Sequence, residues 1–370
     1  MTKLWILLAV SLALAWIIDN RDRELLRRDI KKQERLVTWM LIILLGFFCG
    51  LRLWGNDTAT YRQMYQQMPL WNDFLIENKY DFASGIGFGT LTSLLKTWGL
   101  SEQDYLVFYA FATAIPYVMF VRRFSKSMVF GVFLMFTTGF YTFSLAAIKQ
   151  CMATGLCLVA VGYAVDRKWV RYLLFVGLGM LFHPYAMVYL LVPLMMFKPW
   201  GTRTLLYMAL FMAVGFYLDT LLGTILNITD MMGAKYSEEE FLGEGVNIFR
   251  VLVSFVPMIL AALYGKNLFL HSSREDNLMF NLAMLNALIM FVGLFGTANY
   301  FARLANYFLP AQVIVLPWIL RRAHPKDQSW LIPLCVIGYT GYFVYENGIY
   351  HPFDQYYSHI SIWDYISGLY

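Results

Sequence analysis

The sequence predicts an all-α, polytopic integral membrane protein, and three properties of its composition support that class. Its 370 residues are 59% hydrophobic and only 14% charged, whereas soluble domains carry about 25% charged residues. The mean hydropathy is +0.54. Aromatic residues make up 18% of the chain, and such rings are favoured where apolar and wet surroundings meet. We expect a single membrane domain over residues 1–370.

About ten apolar runs predict the transmembrane helices, because a helix crosses a bilayer with about 20 mostly apolar residues. The first run is interpreted as a membrane helix and not as a signal peptide, since no convincing small-residue cleavage site precedes Asp19. In chain order the runs are Leu4–Ile18, Leu36–Leu53, Tyr105–Val121, Met128–Ala146, Ile148–Val165, Leu205–Leu222, Ile248–Tyr264, Leu278–Gly296, Phe301–Leu320 and Trp330–Val344.

A further apolar stretch, Tyr172–Phe197, is interrupted by His183 and Pro184. Proline has no backbone N–H to donate, and it disfavours helical geometry in the residue before it. We therefore expect a short re-entrant or broken helix pair around His183.

The basic residues predict the orientation, because cytoplasmic loops of membrane proteins carry an excess of lysine and arginine. The predicted external segments hold only Arg62, Lys79, Lys96 and Lys235, and the C-terminal tail has no lysine or arginine. If Tyr172–Phe197 were one ordinary span, every later loop would change sides, and Arg321, Arg322 and Lys326 would lie outside. The positive-inside rule therefore argues against a single span. Most of the 29 basic residues fall in predicted cytoplasmic segments: Arg21, Arg23, Arg27, Arg28, Lys31, Lys32, Arg35, Arg122, Arg123, Lys126, Arg167, Lys168, Arg171, Lys198, Arg203, Lys266, Arg274, Arg321, Arg322 and Lys326.

Two external loops, at about residues 56–103 and 223–247, and an external tail at 346–370 complete the predicted topology. The first loop contains DFASGIGFGTLTSLLKTWG, whose glycines and alternating polarity predict an interfacial or re-entrant helix. The second contains the acidic segment KYSEEEFLGEG. Each loop either closes over a site or is ordinary linking structure.

Four basic residues interrupt the predicted spans at one depth: Arg52, Lys149, Arg250 and Arg303 all lie at external ends. An ionisable residue at the bilayer centre costs roughly 2.5 to 3.5 kcal/mol and usually marks a pathway or site. One such residue alone could simply extend to the lipid head groups. Four at the face that the positive-inside rule disfavours instead predict a phosphate or pyrophosphate ligand, whose oxygens suit the planar fork of arginine.

Asp57 and His183 are the candidate proton acceptors. Asp57 lies in Gly-Asn-Asp-Thr directly after the second span, so it is a general base, an ion-pair partner of Arg52 or a simple turn residue. His183 either donates to a backbone carbonyl freed by the helix break or reaches the same external cavity, where an imidazole can accept a proton or donate to phosphate.

The sequence argues against several other classes of protein. The basic residues lie in short bursts between apolar runs, which is not the pattern of a nucleic-acid-binding face. The five histidines do not cluster at metal-ligand spacing, so neither a metal nor another cofactor is expected. The cysteines lie inside apolar runs without a CxxC pair, which predicts no disulfide framework: Cys49, Cys151, Cys157 and Cys335.

Four short motifs lie between about Leu36 and Leu320: GLRLWGNDTATYRQMY, IKQCMATGL, LFHPYAMVYLL and NYFARLANYFL. Together they resemble the EpsG-like branch of the Wzy-type polysaccharide polymerases. That family's second motif usually reads Arg-Gln, and the lysine found here keeps the charge but lacks the bidentate fork. Carried over by position, the resemblance implies roles in the site for Arg52, Asp57, Tyr61, Lys149, Gln150, His183 and Arg303.

The resemblance implies a glycosyltransferase of the bacterial cytoplasmic (inner) membrane. It would join polyprenyl-pyrophosphate-linked oligosaccharide repeat units, carried on undecaprenyl pyrophosphate, into an O-antigen, capsule or exopolysaccharide on the external face. The expected reaction is metal-independent, with the cations, Arg250 included, holding pyrophosphate and Asp57 or His183 accepting the proton. The expected partners are the lipid-linked substrate, the bilayer, a chain-length regulator and a flippase. Two rival functions stay open, a flippase or transporter of lipid-linked glycan and a membrane O-acyltransferase.

Overall fold

The computed structural model of the protein describes residues 1–23, 28–77, 80–231, 237–243 and 245–368. This part of the chain is helical almost throughout and contains one two-stranded sheet, so the predicted all-α class is confirmed. The α-helices are α1 (Thr2–Arg23), α2 (Arg28–Gly50), α3 (Thr58–Gln67), α4 (Trp71–Glu77), α5 (Ile86–Thr97), α6 (Glu102–Phe124), α7 (Met128–Thr137), α8 (Ile148–Val165), α9 (Trp169–Phe182), α10 (Thr202–Phe216), α11 (Leu218–Met231), α12 (Glu238–Phe241), α13 (Ile248–Tyr264), α14 (Arg274–Val292), α15 (Ala298–Asn306), α16 (Leu309–Arg322), α17 (Pro325–Val344), α18 (Phe353–Tyr356) and α19 (Ile362–Ser367). The 3₁₀ helices are Thr142–Leu145, Pro184–Met195 and Gly265–Phe269, the π-helix is Tyr345–Tyr350, and the strands are β1 (Arg52–Trp54) and β2 (Ser358–His359).

Four helices of the described ranges are long and apolar enough to cross a membrane: α1, α6, α8 and α13 with its 3₁₀ extension. Each corresponds to a predicted span, and α8 has the predicted bounds. Two bent helix pairs raise the number of candidates to six, so the expected number of about ten spans is not confirmed. The other runs form shorter helices, or helices that carry charge at one end, as α14 does at Arg274, Glu275 and Asp276.

Two predicted spans, Met128–Ala146 and Leu205–Leu222, are wrong as continuous helices. The helix α7 ends at Thr137, and Gly139 then adopts a φ of +84°, a conformation that glycine reaches without strain. The pair α10 and α11 turns through 95° at Tyr217. An apolar run guarantees burial or lipid contact, but it does not guarantee a straight helix.

A third predicted span, Phe301–Leu320, is divided into α15 and α16, which meet at 54°. Pro310 lies in the first turn of α16, where its missing N–H has no intrahelical partner to lose. Side chains of both helices line one cavity.

The predicted helix break at His183 is confirmed. The helix α9 ends at Phe182 and a 3₁₀ helix begins at Pro184. The Tyr172 hydroxyl donates to the backbone carbonyl of Tyr189, and these residues would be far apart along one straight helix because each residue rises about 1.5 Å. The two short helices therefore fold back on each other as a hairpin.

The segments that the sequence predicts to be external contain more structure than the sequence indicates. The predicted interfacial helix corresponds to α5, and α3 and α4 precede it. The C-terminal tail folds back onto the helices, where β2 pairs antiparallel with β1 and Arg52 lies opposite His359. Lys79 and Lys235 lie outside the described residues, as do residues 24–27 of the charged N-terminal segment and residue 244 of the acidic loop.

The core of the molecule is formed around α14 and α16. Every residue of α16 from Leu309 to Leu320 is buried, and α14 is buried along most of its length. Both helices pack against α13. Polar side chains on these helices therefore face protein or a cavity and not lipid, which is the arrangement that membrane helices require.

Candidate functional site

One cavity of about 480 Å³ lies where the ends of the core helices meet the C-terminal tail, and we call it the central cavity. Its lining is rich in amides, hydroxyls and aromatic rings. The lining residues are Asn56, Asp57, Thr137, Thr138, Gly139, Thr142, Phe143, Ala146, Ala147, Arg250, Val253, Ser254, Asn286, Met290, Ala298, Asn299, Ala302, Arg303, Asn306, Leu309, Gln312, Tyr342, Glu346, Asn347, His351, Tyr356 and Tyr357.

A strained turn brings Asp57 to the central cavity. Gly55 has a φ of +137° and Asn56 a φ of +44°, so the chain reverses directly after β1. A Cβ atom on Gly55 would lie 2.2 Å from a ring carbon of Tyr357, and only glycine permits the tail to approach this closely. Asp57 then occupies the N-cap position of α3, but its carboxylate makes no capping hydrogen bond.

The Asp57 carboxylate is half-buried and accepts no hydrogen bond from the described residues. It therefore does not form the ion pair with Arg52 that the sequence left open. Of the three interpretations, the turn geometry is present, and the carboxylate remains available to a molecule in the cavity. A carboxylate that is not engaged by the protein can accept a proton from a bound hydroxyl group.

Arg250 and Arg303 both line the central cavity but differ in their partners. Arg250 donates from Nε to Glu346 Oε1 at 2.9 Å and from Nη2 to Glu346 Oε2 at 2.7 Å. The remaining N–H groups of its guanidinium are not used by Glu346. The side chain of Arg303 is exposed toward the cavity, and its guanidinium has no acceptor in the described part of the chain. Arg303 is thus the cation available to an anionic ligand.

The π-helix Tyr345–Tyr350 presents Glu346 and Asn347 to the cavity. A π-turn widens a helix and is frequent at functional sites. Here it extends α17 by one wide turn before the chain reverses toward β2. Glu346 reaches Arg250 from this turn, so the charge balance of the cavity depends on the C-terminal segment.

Three buried polar residues on different helices form the amide floor of the cavity: Ser254, Asn286 and Gln312. Asn286 Nδ2 donates to the carbonyl of Ala305 at 2.7 Å. Gln312 Nε2 donates to Asn286 Oδ1 at 2.5 Å and to the carbonyl of Ser254 at 2.8 Å. The amide floor lies about one helical turn below Arg250, because Ser254 follows it by four residues on α13.

Arg52 does not line the central cavity. Its side chain is 1% exposed, and it donates from Nη1 to the Cys49 carbonyl at 2.5 Å and from Nε to Thr58 Oγ1 at 3.0 Å. These bonds join the end of α2 to the start of α3. Arg52 therefore supports the turn that carries Asp57, and its Nη2 has no acceptor among the described residues.

Tyr61, Lys149, His183 and Tyr307 form a second polar group, the His183 cluster. The Tyr307 hydroxyl lies 3.0 Å from His183 Nδ1, so the histidine is paired with a phenol and not with a freed backbone carbonyl. The Lys149 backbone N–H donates to the Tyr61 hydroxyl at 3.5 Å, and Lys149 Nζ donates to the carbonyl of Ser84 at 3.2 Å. None of these four side chains is among those that line the central cavity.

The His183 cluster and the central cavity are neighbours. Gln150 Nε2 donates to the backbone carbonyl of Arg303 at 2.6 Å, which fixes the helix that carries the free guanidinium. Burial raises the pKa of the Tyr61 phenol; the nearby Asp57 carboxylate also raises it, and Arg303 opposes the shift. Tyr61 is therefore neutral and lies close to Asp57 and Arg303.

The sequence predicted Asp57, Arg250 and Arg303 as site residues, and the structure places these three in the lining of one cavity. Sequence reasoning missed Glu346, the amide floor and the tail residues such as Tyr357. A usable signal existed for Asn286 and Gln312, because uncharged amides inside apolar runs require internal partners. Within the described ranges, no three histidine, cysteine, aspartate or glutamate side chains converge as a set of metal ligands.

Comparison with known proteins identifies the family. A family model described as the EpsG family matches residues 36–361. No curated protein and no solved structure matches the chain. Because the family match covers well over half of the 370 residues, the resemblance found in the four motifs is confirmed. The chain belongs to the EpsG family of membrane proteins that act in polysaccharide biosynthesis.

Proposed function

We propose that the protein is a polymerase that joins polyprenyl-pyrophosphate-linked oligosaccharide repeat units by glycosyl transfer in the central cavity. One observation carries the proposal: Asp57 and the free guanidinium of Arg303 line a single cavity whose other walls are amides, hydroxyls and aromatic rings. Sugars are recognised by hydrogen bonds and ring contacts, and a phosphate group by a guanidinium. The external face of the inner membrane is the expected side of the reaction.

In the proposed reaction, the hydroxyl oxygen of the acceptor sugar forms a bond to the anomeric carbon of the donor. The bond from that carbon to the phosphate oxygen breaks, and the lipid pyrophosphate leaves with the electron pair. Arg303 stabilises the negative charge that develops on the leaving group, with help from the free N–H groups of Arg250. Arg52 supports the turn that carries Asp57, and Lys149 belongs to the His183 cluster; neither lines the cavity.

Asp57 is the proposed base that accepts the proton of the acceptor hydroxyl. It lines the cavity without a protein donor, whereas His183 lies outside the lining and is paired with Tyr307. The Tyr61 backbone N–H donates to the Asp57 carbonyl, and Gln150 Nε2 donates to the Arg303 carbonyl. These bonds support a positioning role for Tyr61 and Gln150. His183 is the alternative base if a substrate group reaches the His183 cluster.

The test is formation of a glycan ladder in a strain that lacks the gene. The strain is complemented with wild type, Asp57→Asn, Arg303→Ala or the control Asp73→Asn at matched levels in the membrane. Asp73 is an exposed carboxylate on α4, outside the cavity lining. We expect full ladders with the control. With Asp57→Asn we expect long chains to fall about 10²- to 10⁴-fold, the range for loss of a general base.

Single repeat units should remain on the carrier, on the external face, when polymerisation fails. Accumulation of units on the cytoplasmic face would instead favour transport and contradict the proposed function. Full ladders with Asp57→Asn but not with Arg303→Ala would support a polymerase in which Asp57 is not the base.

A further inference from the structure

The amide floor contains one hydrogen-bond acceptor that the protein does not use. Gln312 is 1% exposed and lines the central cavity. Its Nε2 has two acceptors, the Ser254 carbonyl and Asn286 Oδ1, but its Oε1 has no donor in the described part of the chain. A buried carbonyl oxygen without a donor loses roughly the free energy of a hydrogen bond with water. Because Gln312 also lines the cavity, a molecule bound there can supply the missing donor.

The direction of the Gln312 amide is fixed by its neighbours. Asn286 Nδ2 donates to the Ala305 carbonyl, so Asn286 must direct its Oδ1 toward Gln312. If the Gln312 amide were rotated by 180°, its oxygen would face two other oxygens, Asn286 Oδ1 and the Ser254 carbonyl. The network therefore selects one orientation, and Oε1 is held as an acceptor before any substrate binds.

The character of the amide floor restricts the ligand group that it can bind. Ser254, Asn286 and Gln312 contribute only neutral amide, hydroxyl and carbonyl groups, and the charged lining residues Asp57, Arg250, Arg303 and Glu346 are not part of the amide floor. An anionic group beside an unused carbonyl oxygen would be repelled. A neutral O–H donor satisfies the oxygen without placing an uncompensated charge in the core.

We propose that Gln312 is a specificity residue that accepts a hydrogen bond from a sugar hydroxyl of the lipid-linked repeat unit, and that Asn286 positions it. This inference rests on the proposed function, since it names a sugar hydroxyl that the same cavity would bind. The lipid pyrophosphate binds at Arg303, and the hydroxyl contact at the floor fixes the sugar ring relative to Asp57. Preorganised acceptors of this kind discriminate strongly against a sugar that lacks the hydroxyl.

The chain offers a matched control for Gln312. Asn281 on α14 is also fully buried, and its Oδ1 also lacks a donor among the described residues. Its Nδ2 donates to two oxygens, as Gln312 Nε2 does, although for Asn281 both are backbone carbonyls, of Met195 and Phe197. It does not line the central cavity. Replacing Asn281 by leucine therefore removes the same kind of bonds from the core without touching the proposed sugar contact.

The experiment uses full-length protein in lipid nanodiscs and lipid-linked repeat units extracted from a strain that lacks the gene. Initial rates of chain elongation are measured against substrate concentration for wild type, Gln312→Met, Gln312→Asn and Asn281→Leu. Gln312→Met removes the acceptor at similar volume, and Gln312→Asn keeps the amide but withdraws it by one methylene group. Thermal unfolding of each variant reports on folding.

We expect Gln312→Met to raise KM about 3- to 10-fold with kcat nearly unchanged, because one neutral hydrogen bond is lost equally from the ground state and the transition state. Gln312→Asn should show a smaller rise in KM, which keeps the test informative if Gln312→Met folds poorly. Asn281→Leu should leave KM unchanged. A purely structural role would lower the active fraction, and hence kcat, in the Gln312 and Asn281 variants alike.

Equal KM values for wild type, Gln312→Met and Gln312→Asn would overturn the inference while wild-type elongation upheld the proposed function. Absence of elongation by wild type from the extracted repeat units would count against the proposed function itself.

Discussion

The ion pair between Arg250 and Glu346 allows a quantitative prediction about how the C-terminal segment is held. Two charge-assisted hydrogen bonds, of 2.9 and 2.7 Å, join the two side chains. The Arg250 side chain is 29% exposed and that of Glu346 is 14% exposed. The pair connects α13 to the π-helix that leads into the tail, so it links the core to the segment that forms one wall of the cavity.

Removing one partner leaves the other charge partly desolvated. Breaking a fully buried pair costs about 3–5 kcal/mol, whereas an exposed pair contributes about 0.2–1 kcal/mol. Partial exposure places Arg250 between these limits, and we expect Arg250→Met or Glu346→Gln alone to destabilise the protein by about 2 kcal/mol. The double variant removes both charges, so it should cost little more than either single variant, with a coupling of about 2 kcal/mol.

The assay is thermal unfolding of the purified protein in lipid nanodiscs, with the two single variants and the double variant compared under one set of conditions. A loss of about 2 kcal/mol should lower the midpoint by about 2 to 4 °C in a chain of this size. The control cycle uses Arg123 and Asp166, a pair at 2.8 Å whose side chains are 45% and 35% exposed. Its coupling should stay below about 1 kcal/mol.

Additive midpoint shifts in the Arg250 and Glu346 cycle would refute the reasoning, because additivity means that neither charge depends on the other. Coupling equal to that of the control pair would do the same.

Two further predictions concern the docking of the tail on β1. Gly55→Ala should destabilise the protein by more than about 1 kcal/mol, because φ is +137° and the new Cβ would meet the Tyr357 ring; the control Gly338→Ala, with open space around its Cβ, should be neutral or stabilising. Burial, with smaller contributions from the charges of Lys3 and Arg52, lowers the pKa of His359 from 6.5 to about 4. The folded state thus favours the neutral ring, stability should fall as pH decreases from 6.5 to 4, and a pH series of thermal midpoints should lose this slope in His359→Gln.

The elements that the sequence predicted best are those whose cause is local. The helix α8 has the predicted bounds because its apolar run is uninterrupted, and the break at His183 follows from the proline that comes after it. The turn at Gly55 and Asn56 likewise follows from residues that accept positive φ. Each of these features depends on a few neighbouring residues, so no knowledge of distant contacts is needed.

The predicted spans that failed depend on packing between segments. The runs containing Tyr217 and Pro310 are apolar enough to cross a bilayer, yet each forms a bent helix pair. Hydropathy measures the free energy of transfer into an apolar medium, and protein core and lipid are both apolar. The pattern therefore cannot distinguish a straight span from a bent helix pair.

The sequence by itself determined the all-α membrane class, the family and the presence of cations at the ends of the helices. Only the tertiary structure decided which cation is available: Arg303 is free, Arg250 is paired with Glu346 from 96 residues away, and Arg52 is buried behind the cavity wall. The physical reason is that the sequence specifies which groups are charged, whereas the availability of a charge depends on distant partners. The sequence could not predict the free carbonyl oxygen of Gln312 for the same reason, because its orientation depends on hydrogen bonds to Ser254 and Asn286.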